Sequence, residues 1–454
     1  MVNSKLEKFI DFLSSTELSD FPEKDKRIAL WNILDTIGAI MAGGQEPEII
    51  ELTRRLRAGN GHGSSTALVD QFPVMEQTWA AFLNGTAGVA LEVDPGHRYA
   101  LGHPSIHVLP AILALAEREH RSGADLLLSY LIGYETSSRF GTISRLRQGF
   151  HPHGVFGTVG AAVACAHLGG ARGKKLQEAM NIACSFVVTN AWENATEGVT
   201  VRNACAGMAG HFGILACEMA ASGFTGLDDA LSKTFGQMAA EGFSYEKLVE
   251  GLGKPFEIER YYTKLHGCCA LIHSTMDALE EIRRQEVFDP EKIEKVIIRT
   301  YSPAAGWGAK EPATPLAARF SIPYATAVLM VTGESTPEYF SQKGMKDSRI
   351  RQLAQKVDLV EEASFTARLP KDRCSEVEVT LRDGTRLKGS STDHRGSYSQ
   401  PHSEAELGEK FLHLTEPLIG EAGSRQVMKK LLDIQKIGDV SELTGMMRHF
   451  RAST

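Results

Sequence analysis

Within twenty residues, LEVDPGHRYALGHPSIHVLP from Leu91 to Pro110, the chain places Glu92, Asp94, His97, His103 and His107. Carboxylates and imidazoles exchange protons near neutral pH, and Gly96 and Gly102 let backbone approach a ligand, so the stretch holds the ingredients of general acid–base catalysis. It reads equally as a solvated loop between helices. No HExxH or comparable spacing marks a metal site. Pro104 pushes His103 towards extended backbone, and Pro104 and Pro110 each fix φ, which suits side chains that must be aimed. His107 reads as part of the first turn of the following helix.

Three further segments carry reactive side chains. In QGFHPHGVFGTVGAAVA, His151, Pro152 and His153 precede a glycine-punctuated helix whose N-terminal N–H groups suit a carboxylate. The spacing is neither GxGxxG nor a Walker loop, so no nucleotide is inferred, and the glycines equally permit plain helix packing. EGVTVRNACAGMAG sets Arg202 before another small-residue helix, where a guanidinium can fork onto a carboxylate or pair at the surface. YYTKLHGCCALIHSTMDAL gathers Lys264, His266, Cys269 and His273 within ten positions. That segment falls at a change of texture along the chain, and clefts between domains favour ligands.

The elements that must position these groups are mostly helices. DKRIALWNILDTIGAIMAGG, with Asp25 as the expected N-cap, repeats apolar residues at three and four and stops at Gly43-Gly44. The segments around residues 108–123, 123–141, 158–173 and 207–226 follow the same grammar, and several are rich in Gly and Ala, which favours helices wrapped by helices. After about residue 290, KIEKVIIRTYSP alternates like a strand, and CSEVEVTLRDGTRLKGSS reads as a hairpin turning at Asp383-Gly384. FSIPYATAVLMVTG reads as a helix with Pro323 in its first turn, and helices return from Ser403 onward. The expected fold is mainly α, with a large all-helical domain built from residues 1–262 and 402–454 and a smaller inserted α+β lid, 263–401.

At 454 residues, 43 % hydrophobic and 23 % charged, the chain has the balance of a globular protein large enough for two cores. A net charge of −7 without a basic block argues against nucleic-acid binding, so an anionic ligand must be held by a few placed cations. The charged N-terminus lacks a signal-peptide core, and no uninterrupted apolar run nears the roughly 18 residues that span a bilayer, so a cytoplasmic protein without a membrane partner is expected. Seven cysteines are odd in number and mostly set in apolar patterns, and Cys268-Cys269 has no CxxC partner for zinc.

Taken in order, NG (Asn84-Gly85), LExD (Leu91–Asp94), GHPS (Gly102–Ser105), GYE (Gly133–Glu135), GFHPxG (Gly149–Gly154), Arg202–Gly207, KxxxxCxxxH (Lys264–His273) and FSIPYA (Phe320–Ala325) resemble the MmgE/PrpD family over roughly residues 5–415. Members of that family dehydrate, decarboxylate or epimerise small polycarboxylates such as 2-methylcitrate, cis-aconitate and iminodisuccinate. The resemblance implies a homodimer with a site between helical domain and lid, no metal or organic cofactor, and a small anionic carboxylate as substrate. It implies Asp94, His103, His151 and Lys264 as catalytic residues, with Glu92, His97, Arg202, His266 and Cys269 around the substrate. The chain departs from the family in having Asp94-Pro95 where many members have DD and Arg202 where many have lysine. Cys269 stands where the decarboxylases place histidine, and their lid tyrosine has no match, which counts against decarboxylation of cis-aconitate. The reaction expected is loss of water by proton abstraction beside a carboxylate. Epimerisation, decarboxylation, a metal-dependent hydrolase and a non-catalytic helical scaffold are the alternatives.

Overall fold

Small residues decide where the long helices meet. A Cβ on Gly85 would lie 2.8 Å from the Cα of Gly207, so the helices Gln77–Gly88 and Val201–Ala221 cross backbone to backbone at that pair. Beside this contact, Asn84 accepts the Leu68 N–H at 2.7 Å and donates to the Thr66 carbonyl at 3.0 Å. The NG motif thus fastens a helix crossing and does no chemistry. The computed structural model describes residues 4–60, 63–100, 102–286 and 288–452. It is 59 % helical and 9 % strand, which makes the fold mainly α.

One apolar core gathers Ile33, Leu83, Ile112 and Tyr130 from the first half of the chain together with Phe411, Val427 and Met447 from its end. The helix Glu404–Leu432 starts with a reciprocal cap between Ser403 and Glu406 and breaks at Gly420, whose φ is 69°. Val201–Ala221 is long and apolar enough to cross a membrane by length and composition, although Arg202, His211 and Glu218 interrupt it; here it packs on Gln77–Gly88 and Phe156–Leu168.

A second core gathers Ile272, Ile298, Tyr324 and Val379. Its sheet runs in the order Arg386–Ser391, Ser375–Leu381, Ile293–Thr300, Val357–Glu361, with only the last pair parallel. The expected hairpin turn falls at Asp383-Gly384, with Gly384 at φ 87°. Pro323 lies in the first turn of Ile322–Thr332, which Ser321 caps through the Tyr324 N–H at 3.0 Å.

Two helix starts differ from expectation. The loop after Leu91 ends at His103, and Pro110 lies inside the helix Pro104–Arg118. The first long helix spans Glu23–Gly43, with Pro22 at its N-cap, so Asp25 lies within its first turn. Asp25 is fully buried, and neither side-chain oxygen has a hydrogen-bond partner among the described residues. Burial, with Glu259 adding to it, raises its carboxyl to about 6. A carboxyl that binds its proton more tightly when folded favours the fold below about pH 4, and this contribution fades as pH rises through about 6. Denaturation of Asp25→Asn beside wild type should therefore show the variant's relative stability improving between pH 4 and 7.5. A constant difference across that range would contradict the assignment.

Candidate active site

One short ladder joins the acid-bearing loop to the segment that delivers Lys264. Gly96 pairs with Tyr262 and His97 with Tyr261, while the Arg98 N–H reaches the Arg260 carbonyl at 2.9 Å. A Cβ on Gly96 would fall 2.3 Å from the Tyr262 ring, so the close approach requires glycine there.

The loop itself is held by cations from three separate parts of the chain. Arg202 donates to the Val89 carbonyl at 3.3 Å, Arg319 to Leu91 at 3.0 Å and Lys410 to Val93 at 2.6 Å. Alternate carbonyls are thus tied down, and the carboxylates of Glu92 and Asp94 converge on shared cations. Glu92 adopts φ 56°, a left-handed conformation uncommon for such a residue, as fits a constrained functional loop. Lys410 is further paired with buried Asp35 at 2.5 Å.

Glu92, Asp94, Arg202 and Lys264 form one buried charge network. Arg202 meets Glu92 at 2.5 Å, and Lys264 lies 3.3 Å from both Glu92 and Asp94. Burial by itself would raise both carboxyls, but Arg202 and Lys264 hold Glu92 ionised, and His103 with Lys264 holds Asp94 well below the usual carboxylate range. Burial also works against the Lys264 charge, and Asp94 and Glu92 outweigh it, raising that group above an ordinary lysine.

Asp94 Oδ2 lies 2.6 Å from His103 Nδ1, an ion-pair distance, and His103 Nε2 lies 3.4 Å from the Tyr262 hydroxyl. This carboxylate–imidazole pair fixes the tautomer, leaving the Nε2 lone pair for a proton. Burial raises the Tyr262 hydroxyl to about 12, so it stays protonated as a donor.

His151 is held differently. Arg202 Nε lies 3.3 Å from its Nε2, and the His153 backbone N–H lies 3.2 Å from its Nδ1. Both nitrogens face donors, an arrangement that disfavours an imidazolium. Burial, followed by the charges of Arg202 and His103, accordingly depresses its basicity well below an ordinary histidine. Trp192 stacks on the ring at 4.9 Å. Behind it, His153 Nδ1 meets His107 Nε2 at 3.0 Å, and burial keeps both of these rings neutral as well.

A cavity of about 500 Å³ opens onto this assembly, a size suited to a small ligand. Of the residues expected from the sequence, Glu92, His97, His103, His151, Arg202 and Cys269 line it. Asp94 and Lys264 are fully buried and absent from its surface, so they act through the groups they hold. His97 lines the cavity with both nitrogens engaged, Nδ1 by the Ala100 N–H at 3.0 Å and Nε2 by Glu257 at 3.1 Å, so it braces the wall. His266, expected around the substrate, instead bonds Ser335 at 2.5 Å and is not part of the cavity wall. Burial raises the Cys269 thiol to about 11, so the wall there is neutral. The wall along the GFHP segment stops at Pro152, so the N-terminus of the helix Phe156–Leu168 does not receive the ligand. Among the described residues, no group of three or more His, Cys, Asp or Glu side chains is arranged to hold a metal ion.

Sequence reasoning missed Trp192, Tyr262, Tyr301 and Arg373, all of which line the cavity. Tyr262 adjoins the Lys264 motif and was within reach of it. The others lie in segments whose composition resembles ordinary loops or strand ends.

The MmgE/PrpD N-terminal domain model matches residues 7–246, and the MmgE/PrpD C-terminal domain model matches 266–434. The cis-aconitate decarboxylase-like protein oryM of Aspergillus oryzae is 26 % identical over 81 % of this chain and 82 % of its own length. The cis-aconitate decarboxylases of Aspergillus terreus and Homo sapiens are 23 % and 25 % identical, covering 96 % and 99 % of this chain and 94 % and 95 % of their own. With its two domain models together covering most of its length, the chain belongs to the MmgE/PrpD family.

Proposed function

We propose that the protein is a cofactor-independent lyase that removes water from a small di- or tricarboxylic acid, in the manner of 2-methylcitrate dehydratase. The observation that carries this reading is the Asp94–His103 pair at 2.6 Å, placed beside Glu92 and Arg202 on a cavity wall.

Removing a proton beside a carboxylate produces an enediolate far too basic to form readily in water. His103 Nε2 takes the proton, and Asp94 stabilises the resulting imidazolium. The electron pair moves onto the substrate carboxylate, where the Arg202 guanidinium opposes the growing charge. One well-placed charged donor of this kind contributes about 3 kcal/mol in a water-poor site. The C–O bond then breaks as the alkene forms, and hydroxide leaves as water with the proton carried by His103. Neutral His151, both of whose nitrogens face donors, forms part of the wall beside the departing oxygen.

Incubation with 2-methylcitrate and related 2-hydroxy acids should raise the ultraviolet absorbance of a conjugated alkene. Carbon dioxide released from cis-aconitate would favour decarboxylation, the reading supported by the names of the relatives. The neutral Cys269, in place of the decarboxylases' histidine, stands against it. No turnover of any acid in a broad panel would overturn the lyase reading.

A further inference from the structure

Among the described residues, every cation on the cavity wall except one is already committed. Arg202, the cation beside the reacting carboxylate, is held by Glu92, His151, Asn203 and the Val89 carbonyl. Arg147 donates to the carbonyls of Gln237 and Met238 and to Glu241. Arg373, just before the strand Ser375–Leu381, is the exception. It is 5 % exposed and lines the cavity, yet no ion pair or hydrogen bond to it occurs among the described residues. Its guanidinium lies 5.9 Å from the Tyr262 ring, and the cation beside it, Arg98, is taken by Asp393 at 3.0 Å and by the carbonyls of Pro370 and Lys371. A buried arginine facing an open cavity with no acid of its own is a site for an anion.

Another part of the wall has a different character. Trp192 stacks on His151 and lies 6.2 Å from Trp307, whose ring meets Phe320 at 5.5 Å, and Arg202 sits over the Phe320 face at 5.4 Å. Phe150 and Leu271 extend this apolar surface. A tricarboxylate lying here would need a further uncommitted cation where the wall is aromatic.

We infer that the substrate is a carboxylic acid with a non-polar arm: its remote carboxylate is held by Arg373, and its arm lies against Trp192 and Phe320. This deepens the lyase reading by naming the substrate class and rests on the same site.

Calorimetric binding of succinate, methylsuccinate, butylsuccinate and hexylsuccinate to the full chain tests it without requiring turnover. Affinity should rise roughly threefold per added methylene until the wall is filled. Arg373→Gln should weaken every member by about 10- to 100-fold, as loss of a charged hydrogen-bonding partner does, and Arg373→Lys should recover part of that loss. Trp192→Ala should flatten the dependence on chain length while leaving succinate nearly unchanged. Tightest binding by the tricarboxylate tricarballylate, no gain with chain length, or undiminished binding by a folded Arg373→Gln protein would overturn the inference. Binding as described without turnover of any hydroxy acid would sink the lyase reading alone, and turnover without the gradient would sink this inference alone.

Discussion

Lys264→Met should lower turnover by at least about 100-fold and destabilise the fold by about 3–5 kcal/mol, the usual range when one partner is removed from a buried ion network. Lys264 is the cation shared by Glu92 and Asp94, and all three are buried. Without it, two carboxylates face each other with Arg202 as their nearest fixed positive charge, and one of them must bind a proton. If that proton settles on Asp94, His103 loses the anion that supports its imidazolium. Urea denaturation of the variant should show the lost stability, and steady-state kinetics the fall in kcat. Lys264→Arg keeps the charge and should retain more stability than the methionine variant. A Lys264→Met protein as stable and as active as wild type would remove the network from the mechanism.

His103→Ala should reduce kcat by about 100- to 10,000-fold, the range for loss of a positioned proton-transfer group. His151→Ala should cost less in kcat than His103→Ala, because His151 is held neutral with both nitrogens facing donors and shapes the wall without moving a proton. The pH dependence separates their roles. His151 and His153 are neutral in the fold, whereas their unfolded counterparts take up protons as pH falls through about 6.5. Their contribution to stability is therefore present above that pH and lost below it. Stability curves of His151→Ala should consequently decline less steeply than wild type between pH 7 and 5, while His103→Ala alone abolishes the chemical step. Equal, small effects of both substitutions on kcat would contradict the division of labour.

Periodicity and turn chemistry made most of the fold legible. The stop at Gly43-Gly44, the hairpin at Asp383-Gly384 and Pro323 in a first helical turn all follow from local backbone preferences, and local preferences act regardless of distant neighbours. The start of the first long helix was misplaced because Pro22, which fits a helix entry, competes with Asp25, which fits a cap. Pro110 reads as a loop residue yet lies inside a helix, because the surrounding apolar packing outweighs its local cost. At the site, motif order pointed to Glu92, Asp94, His103, His151, Arg202 and Lys264, and the structure brings these six together. Arg373 and Trp192 were not legible, since a lone arginine beside a strand and a lone tryptophan in a loop acquire meaning only from what packs across the cavity. His266 failed for the opposite reason, because nearness in sequence to Lys264 does not fix which way a side chain turns.

The central claim is proton abstraction beside a carboxylate by an Asp94-backed imidazole. It is tested most directly in heavy water, by following the protons of 2-methylcitrate, cis-aconitate and iminodisuccinate by NMR with wild-type and His103→Ala proteins. The account predicts that the wild-type protein converts or labels at least one acid at the carbon next to a carboxylate, with an alkene signal marking dehydration, and that His103→Ala does neither. Silence from the wild-type protein towards acids that it demonstrably binds, or undiminished exchange by His103→Ala, would contradict it.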